Sequence, residues 1–124
     1  MFELIALMIL SQQPLQPVAQ GTASYYTVAS SSAVTASGER LQDEVPTCAL
    51  LDGEFGDYYL FLAENGKSVV CRLNDRGPFV KERVADLSLA GIRALDDKAG
   101  LVEVQVYHLG ANPPPVTPLT PLLR

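Results

Sequence analysis

The sequence predicts a mainly β fold, a compact barrel with one short helix. Three observations carry this. Several runs of four to nine residues are rich in Val, Tyr, Thr, Leu and Phe; one of them alternates cleanly; and only one segment has helical spacing. At 124 residues the chain has room for one domain with a single modest core. Hydrophobic residues make up 48%, which excludes a disordered chain.

The first strand is read from Gly21 to Val28, where Tyr, Thr and Ser predominate. Ala29 to Ser37 is rich in Ser and Ala without periodicity and is expected to be an exposed loop. Val45 to Leu51 is a short β-like run. Tyr58 to Ala63 is apolar at both parities, as in a strand buried on two sides. Asn65-Gly66 then marks a hairpin, since a type I′ turn needs φ > 0 at both central residues. In Lys67 to Asn74, alternation places Val69, Cys71 and Leu73 on one face. The helix is expected at Leu89–Leu95, with Ser88 as its cap and Leu89, Ile92 and Leu95 along one stripe. The last strand points Val102, Val104 and Val106 inward and Glu103, Gln105 and Tyr107 outward. Periodicity alone does not choose the barrel's topology.

Outside this unit, residues 1–20 read as a leader. Leu4 to Leu10 is apolar but too short to span a bilayer, and Pro17-Val18-Ala19 resembles a small-residue cleavage site. Glu3 stands where a basic residue is usual, so an atypical or truncated signal and a disordered arm both remain open. The barrel is expected over 21–110. Residues 111–124 hold five prolines and are expected to form an extended, solvated tail. No transmembrane segment is expected, and a leader of this kind would imply export, to a secreted, periplasmic or envelope location.

The formal net charge of −5 and the lack of a Lys/Arg run argue against nucleic acid as a partner. Cys48 and Cys71 are the two cysteines; they are a disulfide candidate, and two buried free thiols are the other reading. Glu39, Asp43, Glu44, Asp52, Glu54 and Asp57 fit no calcium-loop spacing and read as a solvated acidic face. No metal and no cofactor are expected.

Chemistry is concentrated in Asn74-Asp75-Arg76-Gly77-Pro78-Phe79. A carboxylate ends a buried strand; Gly77 permits close approach of a ligand, and Pro78 restrains the turn behind it. Arg76 can pair with Asp75 or orient a substrate oxygen. An ordinary strand-ending turn with a surface ion pair is the plainer reading of the same residues.

The run Asn65 to Val80 resembles the signature of the RlpA-like family. So do Arg83 to Ser88, Gly21 to Tyr26 and Thr35 to Arg40, all in family order. The resemblance implies a six-stranded double-psi β-barrel acting on peptidoglycan glycan strands. Relatives include lytic transglycosylases, which cleave the MurNAc–GlcNAc bond and leave a 1,6-anhydro end. It implies Asp75 as the acid and base, and Glu39 as a second acidic position that shapes the cleft or assists proton transfer. Asn74, Arg76 and Gly77 would meet substrate, while Tyr25 and Tyr26 would offer a stacking platform or simply pack. A monomer is expected. Leu50, however, stands where active relatives carry a histidine, and Gln42 where an aspartate is usual. His108, in phase with the valines of the last strand, reads as a structural or rim residue and not as a replacement. A non-catalytic, expansin-like glycan-binding module is therefore the alternative.

Overall fold

The computed structural model describes residues 16–112. The leader's apolar run and residues 113–124 of the tail lie outside them. The strands are β1 (Ala19–Tyr25), β2 (Thr47–Leu50), β3 (Tyr58–Ala63), β4 (Ser68–Arg76), β5 (Arg83–Leu87) and β6 (Val102–Gly110), and helix α1 spans Leu89–Leu95. They close into a barrel in the order β1-β5-β2-β4-β3-β6. β1 with β5 and β2 with β4 pair in parallel, and the remaining neighbours are antiparallel. This is the six-stranded double-psi barrel expected above. Among the described residues, no helix is long and apolar enough to cross a membrane.

The core is formed by the inward parity of each strand. Phe61, Leu73, Leu87 and Val106 are fully buried, and Ile92 and Leu95 of α1 are buried in the same cluster. Fully burying each such side chain contributes about 1.5–3 kcal/mol. Ser88 caps α1 by accepting from the Gly91 amide at 3.3 Å. Its hydroxyl also donates to the Val45 carbonyl at 2.7 Å, which ties the helix start to the approach to β2.

Several expectations are corrected. β1 starts at Ala19, two residues earlier than read, because Ala19 and Gln20 pair with Val106 and Gln105. β3 is not buried on both sides: Tyr59, Phe61 and Ala63 face the core while Tyr58, Leu60 and Leu62 are half-buried. The β3–β4 turn is not type I′, because only Gly66 has left-handed φ, at 88°. Ala63 bonds Lys67 at 2.9 Å across a three-residue connection. This frees Asn65 to cap the turn through Lys67 N and to donate to the Leu95 carbonyl, each at 2.9 Å. The segment Ala29–Ser37 is not exposed throughout, since Thr35 is buried. β5 escaped the pattern reading because only Ala85 and Leu87 of its five residues are buried.

Cys48 and Cys71 are free thiols in the core, which corrects the disulfide. Cys48 registers with Leu73, two residues beyond Cys71 on the neighbouring strand. That diagonal separates the Cα atoms by about 8 Å from strand rise and spacing, more than a disulfide spans.

Candidate active site

The decisive local feature is a bulge in β4. Cys48 registers with Leu73 and Ala49 with Asp75, so Asn74 is an extra residue opposite no partner. Strict alternation from Cys71 and Leu73 would turn Asp75 into the barrel. The bulge turns it outward beside Ala49, which lies between the core residues Cys48 and Leu50.

On the other side of β2, Ala49 registers with Asp86, and Asp86 registers with Ser24 of β1. A row therefore runs Ser24–Asp86–Ala49–Asp75 across four adjacent strands, with a small side chain between two carboxylates. The Ser24 hydroxyl donates to Asp86 Oδ1. Asp86 was not singled out in the sequence. The available signal was its phase, opposite to Ala85 and Leu87, but that shows only on a strand recognised as such.

Asp75 is half-buried and its carboxylate is well held. Oδ1 accepts from the Ala36 amide at 2.8 Å and from the Arg76 amide at 2.9 Å, and Oδ2 accepts from the Tyr26 hydroxyl at 2.9 Å. Burial pushes the Tyr26 phenol well above its usual range, and the adjacent Asp75 carboxylate adds to the shift. Thus Tyr26 is a neutral donor at physiological pH.

The loop before β2 lies along β4 in the opposite chain sense. Ala36 reaches Asp75, Ser37 N donates to the Asn74 carbonyl at 3.1 Å, and Glu39 reaches Arg72. Arg72 Nη1 lies 2.8 Å from Glu39 Oε1 and 3.1 Å from Oε2. The Arg72 hydrogen bonds hold the Glu39 carboxyl below the usual carboxylate range, with Asn74 and Ser37 assisting. Asp75, Glu39, Asn74 and Tyr26 are therefore assembled around one stretch of outer face.

Three other residues stand apart from the Asp75 carboxylate. Tyr25 has the inward parity and packs against the core, with Arg93 5.2 Å from its ring centroid, so it offers no platform beside Asp75. The Arg76 guanidinium does not pair with Asp75; it bonds the Gly53 carbonyl and lies 4.3 Å over the Phe55 ring. Gly77 is buried with φ 131°, in the left-handed half of conformational space, and its amide reaches the Leu50 carbonyl at 3.4 Å. It shapes the turn behind Asp75.

Leu50 is buried in the core and lines a cavity of about 640 Å³ with Val18, Tyr59, Val84 and His108. Asp75 is not in that wall. His108 sits exposed at the rim, 2.8 Å from Asp57 Oδ2, its ring centroid 5.1 Å from that of Tyr59. Leu50 is thus on the inner face of β2, and the Asp75 carboxylate is served by Tyr26, Ala36 and Arg76.

Comparison with known proteins places the chain in a family. The profile of the lytic transglycolase family matches residues 18–106. The chain is 38% identical over 97 residues to a probable endolytic peptidoglycan transglycosylase RlpA of Treponema pallidum, covering 77% of this chain and 30% of that protein. A Nostoc protein of the same description is 41% identical over 95 residues, covering 73% of this chain and 26% of its own length. The chain spans less than a third of either relative. The apo crystal structure of a Clavibacter michiganensis expansin superposes with TM-score 0.59 at 19% identity, over 77% of this chain and 52% of that one, a likeness of fold alone. With the match running from just before β1 into β6, the chain belongs to the RlpA-like lytic transglycolase family.

Proposed function

We propose that the barrel is a peptidoglycan lytic transglycosylase of the bacterial envelope, with Asp75 as its acid and base. The observation that supports this best is the outward-facing Asp75 carboxylate, fixed by the Ala36 and Arg76 amides and the Tyr26 hydroxyl. A carboxyl held at one position can serve both halves of the reaction. Protonated Asp75 delivers its proton to the glycosidic oxygen as the C1–O4 bond of MurNAc–GlcNAc breaks. The resulting carboxylate takes the proton of the MurNAc C6 hydroxyl as O6 closes on C1. The products are a 1,6-anhydro end and a free GlcNAc hydroxyl; no water is consumed and Asp75 ends protonated. Glu39, held by Arg72 further back along β4, and Asp86, one strand beyond Ala49, are the acidic groups that would tune this position.

A second reading rests on Leu50. With an apolar, core-facing side chain where relatives carry histidine, the same surface would bind glycan without cutting it. Mass spectrometry of purified peptidoglycan digested with the protein separates the two. Anhydro-ended muropeptides that vanish with Asp75→Asn support the transglycosylase. A folded sample that sediments with peptidoglycan yet releases no anhydro product would make it a binding module.

A further inference from the structure

The two ends of the barrel differ. Helix α1 follows β5 directly, and its Leu95 carbonyl accepts from the Asn65 side chain of the β3–β4 turn, so it lies at the end where β3 and β5 finish. At the opposite end lies the cavity of about 640 Å³, walled by the starts of β1, β3 and β5 and the ends of β2 and β6. Its apolar wall is Val18, Leu50, Leu51, Tyr59 and Val84; Val18 and Leu51 are 58% and 53% exposed. Asp52, Glu54 and Asp57 stand there against Arg83 and His108, so this mouth is net acidic even with His108 charged.

The chain also leaves the barrel at this mouth, since β6 runs past His108 to Gly110. Beyond it, Pro115, Pro118 and Pro121 recur every three residues, followed in turn by Val116, Leu119 and Leu122. A polyproline II helix has three residues per turn, so the repeat puts these apolar side chains on one face. Such Pro-x-x-Pro segments dock in apolar grooves that carry aromatic rings, because little conformational freedom is lost on seating them. Tyr59 and His108, with ring centroids 5.1 Å apart, supply the rings here. Arg124 is the one charged residue of 111–124, the sign an acidic mouth favours. The leader reaches the same mouth through Val18, but its one charge is Glu3 and it holds a single Pro-x-x-Pro step. Only residues 109–114 separate His108 from the repeat. A tether this short gives an effective concentration on the order of mM, enough to hold a contact too weak to form between separate molecules.

We propose that residues 115–122 seat in this mouth as a polyproline II strand, with Val116, Leu119 and Leu122 turned toward its apolar wall. The occupant is the chain's own segment, and an apolar ligand from outside would have to displace it. The contact is separate from the Asp75 face and does not depend on any activity there.

The test is NMR of the full chain carrying a nitroxide on Thr120→Cys; Cys48 and Cys71 are buried and leave that thiol as the one to label. Amide signals of Leu51 and Val84 are expected to broaden, and those of Asn65 and Leu95 at the far end to stay sharp. Adding Leu119→Asp and Leu122→Asp sets carboxylates against the acidic mouth. The broadening at Leu51 and Val84 is then expected to be lost, while His108, nearest the tether, keeps part of its own. Sharp Leu51 and Val84 signals in the first protein, or equal broadening with and without the aspartates, would overturn the seating. A mixture of isotope-labelled chain without nitroxide and unlabelled chain bearing it is expected to show no broadening. Broadening in the mixture would mean that the mouth takes the segment of a second copy, and the intramolecular contact would fall.

Discussion

The Tyr26 hydroxyl donates to Asp75 Oδ2 at 2.9 Å, joining the end of β1 to the end of β4 across 49 positions of sequence. The contact makes Tyr26 part of the setting of the candidate acid and distinguishes it from Tyr25, whose ring packs against the core. Tyr26→Phe is expected to cost about 1 kcal/mol of stability, the usual net worth of such a bond. It should also slow release of anhydro product, since one of three donors holding the carboxylate is lost. Chemical denaturation and muropeptide analysis check the two halves; unchanged turnover would reduce Tyr26 to a structural residue.

The same phenol makes stability depend on alkaline pH. Burial first, and the Asp75 carboxylate second, raise its folded-state pKa above that of a free tyrosine. A raised value means that the stabilisation is complete below the unfolded value, about 10, and is lost as pH rises toward the folded one. The melting temperature should therefore fall above about pH 10. The fall should be shallower in Tyr26→Phe, although Tyr59, also raised by burial, keeps part of it. Thermal unfolding between pH 8 and 11.5 measures the difference, and parallel curves would contradict it.

Asp75→Asn is expected to preserve the fold, because the side-chain oxygen can still accept from the Ala36 and Arg76 amides. Turnover should disappear, since an amide can neither release nor take up the proton. Asp86→Asn, one strand beyond Ala49, should lower turnover while leaving circular dichroism unchanged. Full activity in Asp75→Asn would rule out the mechanism proposed above.

Glu39 and Arg72 form a partly exposed pair, with side chains 44% and 30% accessible. Glu39→Gln should therefore change stability by less than about 1 kcal/mol at neutral pH. The Glu39 carboxyl lies below its ordinary range, chiefly through its hydrogen bonds to Arg72. Its small contribution is present above the unfolded value and fades as pH falls through the folded one. Carbon-detected NMR titration should find its midpoint below that of a free glutamate and move it back in Arg72→Ala.

Cys48 and Cys71 are buried thiols whose ionisation burial disfavours. Thiolate-dependent reagents should find neither in the native protein and both after denaturation in guanidinium. Reaction of the native protein at the rate of free cysteine would place at least one of them at the surface.

Much of this architecture follows from local pattern. The Leu89–Leu95 stripe with Ser88 before it specifies α1, because an i, i+3 repeat and a capping hydroxyl act within one turn. Alternating valines specify β6 for the same local reason, and Asn74-Asp75-Arg76-Gly77-Pro78 marks where the chemistry lies. Tertiary structure decided which way those residues face. Alternation from Cys71 and Leu73 sends Asp75 inward; the unpaired Asn74, visible only in the register of β4 against β2, sends it outward to Tyr26. Register also brings Asp86 into line with Ala49 and Asp75, and Ala36 of a loop with no periodicity onto the same carboxylate. These are pairings between residues 26 to 49 positions apart, and no local rule of spacing encodes them. They exist because closing a small barrel leaves each strand two fixed neighbours, and the outward parity of four adjacent strands then becomes one surface.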